Sequence, residues 1–161
     1  MLGVLILSLA GIIPKQAPPE GWKLVKDSRG VCQIAVPGEW ELLPGDTGAA
    51  VLNDSTNAIA VVTSQPGQTF QRLPENLQKL LGIRTDKIFE NTAKRVFYQD
   101  RISRSSDEPN AYSASVPGRT GTCSCHIVLA PNIPEETAKK IALSLGPAAR
   151  ETEPSAPDSN K

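Results

Sequence analysis

The amino-acid sequence predicts an α+β fold: a largely antiparallel β-sheet of about six to seven strands, packed by two main helices. Three observations carry this expectation. Short alternating apolar segments follow one another across polar or Pro/Gly connections, which is the grammar of hairpins. Only two stretches combine a helical period with start and stop signals. The order of elements is then several strands, a helix, several strands, a helix, unlike the strict alternation that builds a parallel sheet.

The first element reads as a segment outside that sheet. Residues 1–14 carry no charge, and 2–13 form an apolar run of twelve residues. A transmembrane helix needs roughly 20, whereas the apolar region of a secretory signal has about 7–15. Ser8 and Ala10 supply the small residues at −3 and −1 for cleavage after Ala10, although no Lys or Arg precedes the run. The expectation is an exported chain, periplasmic or secreted, with no stable membrane span after processing; a buried N-terminal strand or helix is the alternative. Ile12 stands where a bacterial lipoprotein would carry its lipidated cysteine. Residues 14–21 (PKQAPPEG) read as an extended linker, because adjacent prolines fix φ. At the other end, 147–161 has three prolines and no large apolar residue, the composition of a disordered tail. The division is therefore 1–21 signal-like segment and linker, 22–146 a single domain, and 147–161 tail.

Within the domain, 31–36 alternates, with Cys32, Ile34 and Val36 on one face, and Pro37-Gly38 turns the chain into 39–43 as a hairpin return. Segments 49–52 and 58–63 follow, separated by Asn53-Asp54-Ser55-Thr56-Asn57. Helix 73–81 starts with Pro74 and Glu75 and stops at Gly82; Leu73, Leu77, Leu80 and Leu81 share one face of a 3.6-residue period. Strands 87–90, 94–99, 111–116 and 122–130 come next, the last with Cys123, Cys125, Ile127 and Leu129 facing one way. Helix 134–145 repeats the grammar: Pro134 first, Glu135 and Glu136 at the positive dipole end, Gly146 and Pro147 after the stop. Ala138, Ile141, Ala142 and Leu145 form its apolar stripe.

Composition narrows the function classes. Seventeen basic and seventeen acidic residues give no net charge, which argues against a nucleic-acid binder. Hydrophobic residues at 39% suffice for a core, and aromatics at 4% make it mostly aliphatic.

The stretch 31–43 (VCQIAVPGEWELL), an alternating strand running into Pro-Gly-x-Trp, resembles the opening of PsbP-like domains. Residues 134–145 (PEETAKKIALSL) are similar to the amphipathic helix on which such chains close. The resemblance spans 22–146 and rests on these two short signatures. It implies an α/β/α sandwich and a family of mostly non-enzymatic accessory or binding proteins, many of them exported from bacteria. It matches structural positions only, so it carries over no functional residue and no cofactor.

Cys123-Ser124-Cys125-His126 is the most conspicuous cluster. A c-type haem site requires C-x-x-C-H, and here the spacing is one residue short. Cys32, Cys123, Cys125 and His126 would make a Cys₃His zinc set, but strand alternation turns His126 away from the cysteines. The same alternation separates a Cys125–His126 dyad. All three cysteines fall on the apolar faces of their strands, so they are expected in the core. In an oxidising compartment Cys32 is expected to bridge to Cys123, which lies at the start of its strand beside Gly121, with Cys125 as the alternative partner. One thiol then stays buried and inert. This apolar face is expected beneath the leucines of 73–81 or the stripe around Ile141.

Asp46-Thr47-Gly48-Ala49 matches the tetrapeptide of retropepsin-like proteases, but Pro44-Gly45 breaks the strand that should lead into it, and a plain turn explains the residues. His126 is the sole histidine, so any Ser-His-Asp triad must use it. Lys94, Arg95, Arg101, Arg104 and Arg119, interleaved with Asp100, Asp107 and Glu108, read as a mixed solvated surface. Asn53-Asp54-Ser55 is a formal glycosylation sequon with no role in a bacterial export context.

Two function classes follow. The first is an exported accessory or binding domain without enzymatic activity or cofactor, working through an unidentified protein partner or a small ligand. The second is a small hydrolase or zinc-dependent enzyme using the Cys123, Cys125 and His126 region. Export has a direct check: the mature chain from the native host should begin between Gly11 and Gly21 by intact-mass measurement. Met1 retained in a cytoplasmic pool refutes it.

Overall fold

The computed structural model describes residues 18–44, 48–52, 58–101 and 109–149. The signal-like segment 1–17, the sequon at 53–55, Arg104, Asp107, Glu108 and the tail from 150 lie outside them.

The chain is α+β, as its patterning predicts, but its strands form two sheets rather than one. The larger sheet holds β3 (Glu41–Leu42), β4 (Ala49–Leu52), β5 (Ala58–Pro66), β6 (Ile88–Asn91), β7 (Val96–Arg101), β8 (Asn110–Pro117) and β9 (Gly121–Leu129). Its spatial order is β3-β4-β5-β9-β8-β7-β6, antiparallel throughout. The smaller sheet holds β1 (Trp22–Lys26), β2 (Cys32–Pro37) and β10 (Gly146–Pro147) in the order β1-β2-β10.

Alternation gives the large sheet one apolar face. Ala60 and Val62 of β5 sit opposite Ile127 and Cys125 of β9, and these sit opposite Tyr112 and Ala114 of β8. Against that face pack β2, all of whose residues are buried, and α2 (Glu135–Ser144), which contributes Ala138, Ile141 and Ala142. The Ser144 hydroxyl fastens helix to sheet: it accepts the Ala35 N–H at 2.7 Å and donates to the Ile141 carbonyl at 2.6 Å. Trp40 plugs the same core at 1% exposure. The Pro-Gly-x-Trp turn that delivers it needs glycine at 38, since a Cβ there would lie 2.4 Å from the Gly21 carbonyl oxygen, which accepts the Gly38 N–H. Cys32 and Cys123 form a disulfide across the two sheets, their Cα atoms 5.6 Å apart and 91 residues apart in sequence. Closing so long a loop stabilises the fold by about 4–5 kcal/mol in the chain-entropy description.

Four expectations are corrected. Residues 39–43 do not return onto β2; β3 pairs with β4 instead, Leu42 opposite Ala50, because the Trp40 turn carries the chain across to the other sheet. The partner of β2 is β1, whose alternation is partly exposed and so weak as a signal: Leu24 is 39% exposed and only Val25 is buried. The domain runs past Gly146, because Gly146 and Pro147 pair with Gln33 and Cys32, the Ala148 N–H donates to the Val31 carbonyl, and Ala148 is buried. Finally, α1 (Glu75–Leu80) is not a main packing helix. Leu73 precedes it, held by Asn91, whose side chain accepts the Leu73 N–H at 2.9 Å and donates to the Leu73 carbonyl at 3.0 Å. The six-residue helix has no buried residue and leaves Leu80 81% exposed and Leu81 53%. Leu73, Ile83 and Val96 make a satellite cluster with Phe70, Leu77, Ile88 and Tyr98. Val96 and Tyr98 flank Phe97 in β7, so this cluster lies on the opposite face from the main core, and it is the stripe around Ile141 that covers the cysteines.

The two helices should therefore respond differently to truncation. Ile141→Ala is expected to cost about 2–5 kcal/mol, and Leu80→Ala less than about 0.5 kcal/mol, measured by equilibrium denaturation.

Candidate functional site

Two surfaces carry chemistry. One lies where the β1–β2 turn, the end of β5 and the β8–β9 turn meet. Asp27 closes the β1–β2 turn: its carboxylate accepts the Val31 and Cys32 N–H groups at 2.8 Å each, and the Ser64 hydroxyl of β5. Gly30 adopts φ 66° in that turn, a conformation open to glycine. Burial pushes the Asp27 pKa up, but hydrogen bonds from Cys32, Ser64, Val31 and Arg29 outweigh it, and the net shift is downward. Gly48 packs against this turn, where a Cβ would lie 2.8 Å from the Asp27 Cα. Asp46 and Thr47 of the tetrapeptide 46–49 lie outside the described residues.

Beside this knot is a half-open groove of about 480 Å³ whose walls include Lys26, Arg29, Gln65, Arg119, Thr120 and Ala149. Glycine shapes its floor: a Cβ on Gly121 would meet the Gln65 carbonyl oxygen at 2.1 Å, so only glycine lets β5 and β9 stay paired there. Among the described residues that line it there is no Asp or Glu.

The second surface is the outer face of the large sheet, over a shallow depression of about 220 Å³ that includes Val61, Thr63, Tyr98 and Ser124. Register places Ser113 opposite His126. The Ser113 hydroxyl donates to Asp100 Oδ2 at 2.6 Å and lies 3.1 Å from His126 Nδ1, which is itself 3.5 Å from Asp100 Oδ2. Ser115 and Ser124 hydroxyls are 2.9 Å apart alongside. Burial and then the Asp100 charge raise the Tyr98 pKa, against a hydrogen bond with Ser113.

The sequence candidates are thus placed. Cys32 and Cys123 are bonded to each other and are not thiolate ligands. Cys125 is buried on the core face, its pKa pushed up to about 12 by burial, while His126 is half-exposed on the other face. Neither the Cys₃His set nor the dyad is assembled, and among the described residues no group of three or more His, Cys, Asp or Glu side chains is arranged to hold a metal. Asp100, Ser113 and His126 do come together, but a triad relay needs the carboxylate on one ring nitrogen and the serine on the other. Here both meet Nδ1, and the serine proton is directed to the carboxylate. Arg95 is not simply solvated: it pairs with Glu90 at 3.5 Å and donates to the Leu143 carbonyl near the end of α2 at 3.1 Å.

Sequence reasoning missed Asp27 and the Arg29 wall. The Asp-x-x-Gly spacing of 27–30 was the available signal for the turn. No spacing announces Ser113 opposite His126, which only the strand register creates. No helix among the described residues is long and apolar enough to cross a membrane. No family model, curated protein or solved structure matches the chain.

The lowered Asp27 pKa makes a stability prediction. Its contribution is fully present above the ordinary value of 3.8 and is lost as pH falls from there through the lower folded value. Asp27→Asn should cost about 1–3 kcal/mol at pH 7, and thermal melts should show its deficit against wild type shrinking as the buffer is acidified below that value.

Proposed function

We propose that this chain is an exported accessory or binding domain without enzymatic activity, of the PsbP-like kind, acting through protein or small-ligand contacts. The observation that carries the reading is the groove beside Asp27: about 480 Å³ falls within the size of ligand sites, and its walls include two turns and the end of β5, near the Cys32–Cys123 bond. A disulfide between sheets supports an oxidising compartment. The convergence of Asp100 and Ser113 on one histidine nitrogen speaks against the hydrolase reading, and the bonded cysteines speak against the zinc reading.

Blocking the groove tests this. Thr120 is exposed on its wall, so Thr120→Trp should leave the melting temperature unchanged while abolishing retention of the partner that wild-type chain captures from the native host's envelope fraction. Retention of the same partner by the blocked variant overturns the groove as the binding site. Hydrolytic turnover lost on Ser113→Ala, or stoichiometric zinc lost on Cys125→Ser, overturns the non-enzymatic reading.

A further inference from the structure

The lining of the groove has a sign. Arg29 sits in the β1–β2 turn and Arg119 in the β8–β9 turn, so two guanidinium side chains from separate elements line one concavity. In a chain with seventeen basic and seventeen acidic residues this is segregation, not an overall excess. Bringing like charges together is unfavourable unless something of opposite sign joins them. Asp27 does not serve: the residue is 5% exposed, and its carboxylate accepts from the Val31 and Cys32 amides and the Ser64 hydroxyl. Arg29 and Arg119 are exposed and form no ion pair with any described residue. Thr120 and Gln65 add a hydroxyl and an amide to the walls, and Val31 and Pro66 add apolar surface.

We infer that this groove binds an anionic ligand, its carboxylate or phosphate oxygens bridged by the guanidinium forks of Arg29 and Arg119. Guanidinium suits the task because its planar fork matches both groups with paired hydrogen bonds, which an ammonium cannot supply. The half-enclosed wall strengthens these bonds relative to open water, and the apolar residues leave room for a short uncharged body beside the anionic end. The inference rests on the groove being the binding site and adds the chemistry of what enters it.

Amide chemical shifts of the full, oxidised chain decide it, titrated at constant ionic strength with inorganic phosphate in one arm and a capped Glu-Asp-Glu-Asp tetrapeptide in the other. Saturable shifts at Gly30, Val31 and 118–121 are expected from at least one probe; phosphate alone identifies a phosphate ligand, and the peptide alone a carboxylate one. Arg29→Ala and Arg119→Ala should each weaken binding about tenfold. The double lysine variant, R29K with R119K, keeps the charge and loses the forks, so it should be weakened as well. Wild-type protein that shows no saturable shift with either probe, or shifts centred elsewhere, overturns the inference, as does a double lysine variant that binds as tightly as wild type. Partner capture lost on Thr120→Trp in protein that binds neither probe overturns the anionic chemistry alone and leaves the binding-domain reading standing.

Discussion

The bond between Cys32 and Cys123 joins two sheets that are hydrogen-bonded separately, and most of the structure is arranged around that crossing. It ties β2, the middle strand of the small sheet, to β9, an inner strand of the large one. The Asp27 carboxylate reinforces the same corner by gripping the Cys32 N–H from one sheet and the Ser64 hydroxyl from the other, with Ser64 opposite Cys123 in register. The inner face of the large sheet includes small side chains (Ala50, Ala60, Ala114), and β2 and α2 pack side by side against that face. Burying an aliphatic core with so few aromatic residues leaves modest surface per side chain, and the covalent tie offsets part of the ordering entropy.

What was legible in the sequence follows from which interactions are local. Strands with strict alternation, such as 111–116 and 122–130, are found within a residue or two of their observed limits because their face is buried along its whole length. Helix 134–145 was legible for the same reason. Helix 73–81 misled because four leucines at helical spacing state an amphipathic face but not how many turns of it will meet a surface. Here Asn91 holds Leu73 outside the helix, and Leu80 is left in solvent. Strands β1 and β10 were hidden because their stabilisation comes from β2, between them, and not from their own pattern.

The sites divide in the same way. That the cysteines belong to the core was readable from alternation alone. The pairing of Ser113 with His126, and the presence of Arg29 and Arg119 on one groove, are products of register and of two turns that border the same cavity. Such juxtapositions link residues distant in sequence, and a single chain offers no periodicity that encodes them. Glycine is the partial exception. Gly38 and Gly121 mark points where backbones touch, and both border turns the sequence already indicated.

Cys125 makes the choice of disulfide partner depend on the fold. It lies two residues from Cys123 on the same face of β9, so an extended chain offers Cys32 two nearly equivalent partners at almost the same loop length. Chain entropy does not choose between them; the register of β9 with β5 and β8 does, by sealing Cys125 between Val62 and Ala114. The paired large sheet, not the length of the loop, is thus what distinguishes Cys123 from Cys125 as the partner of Cys32.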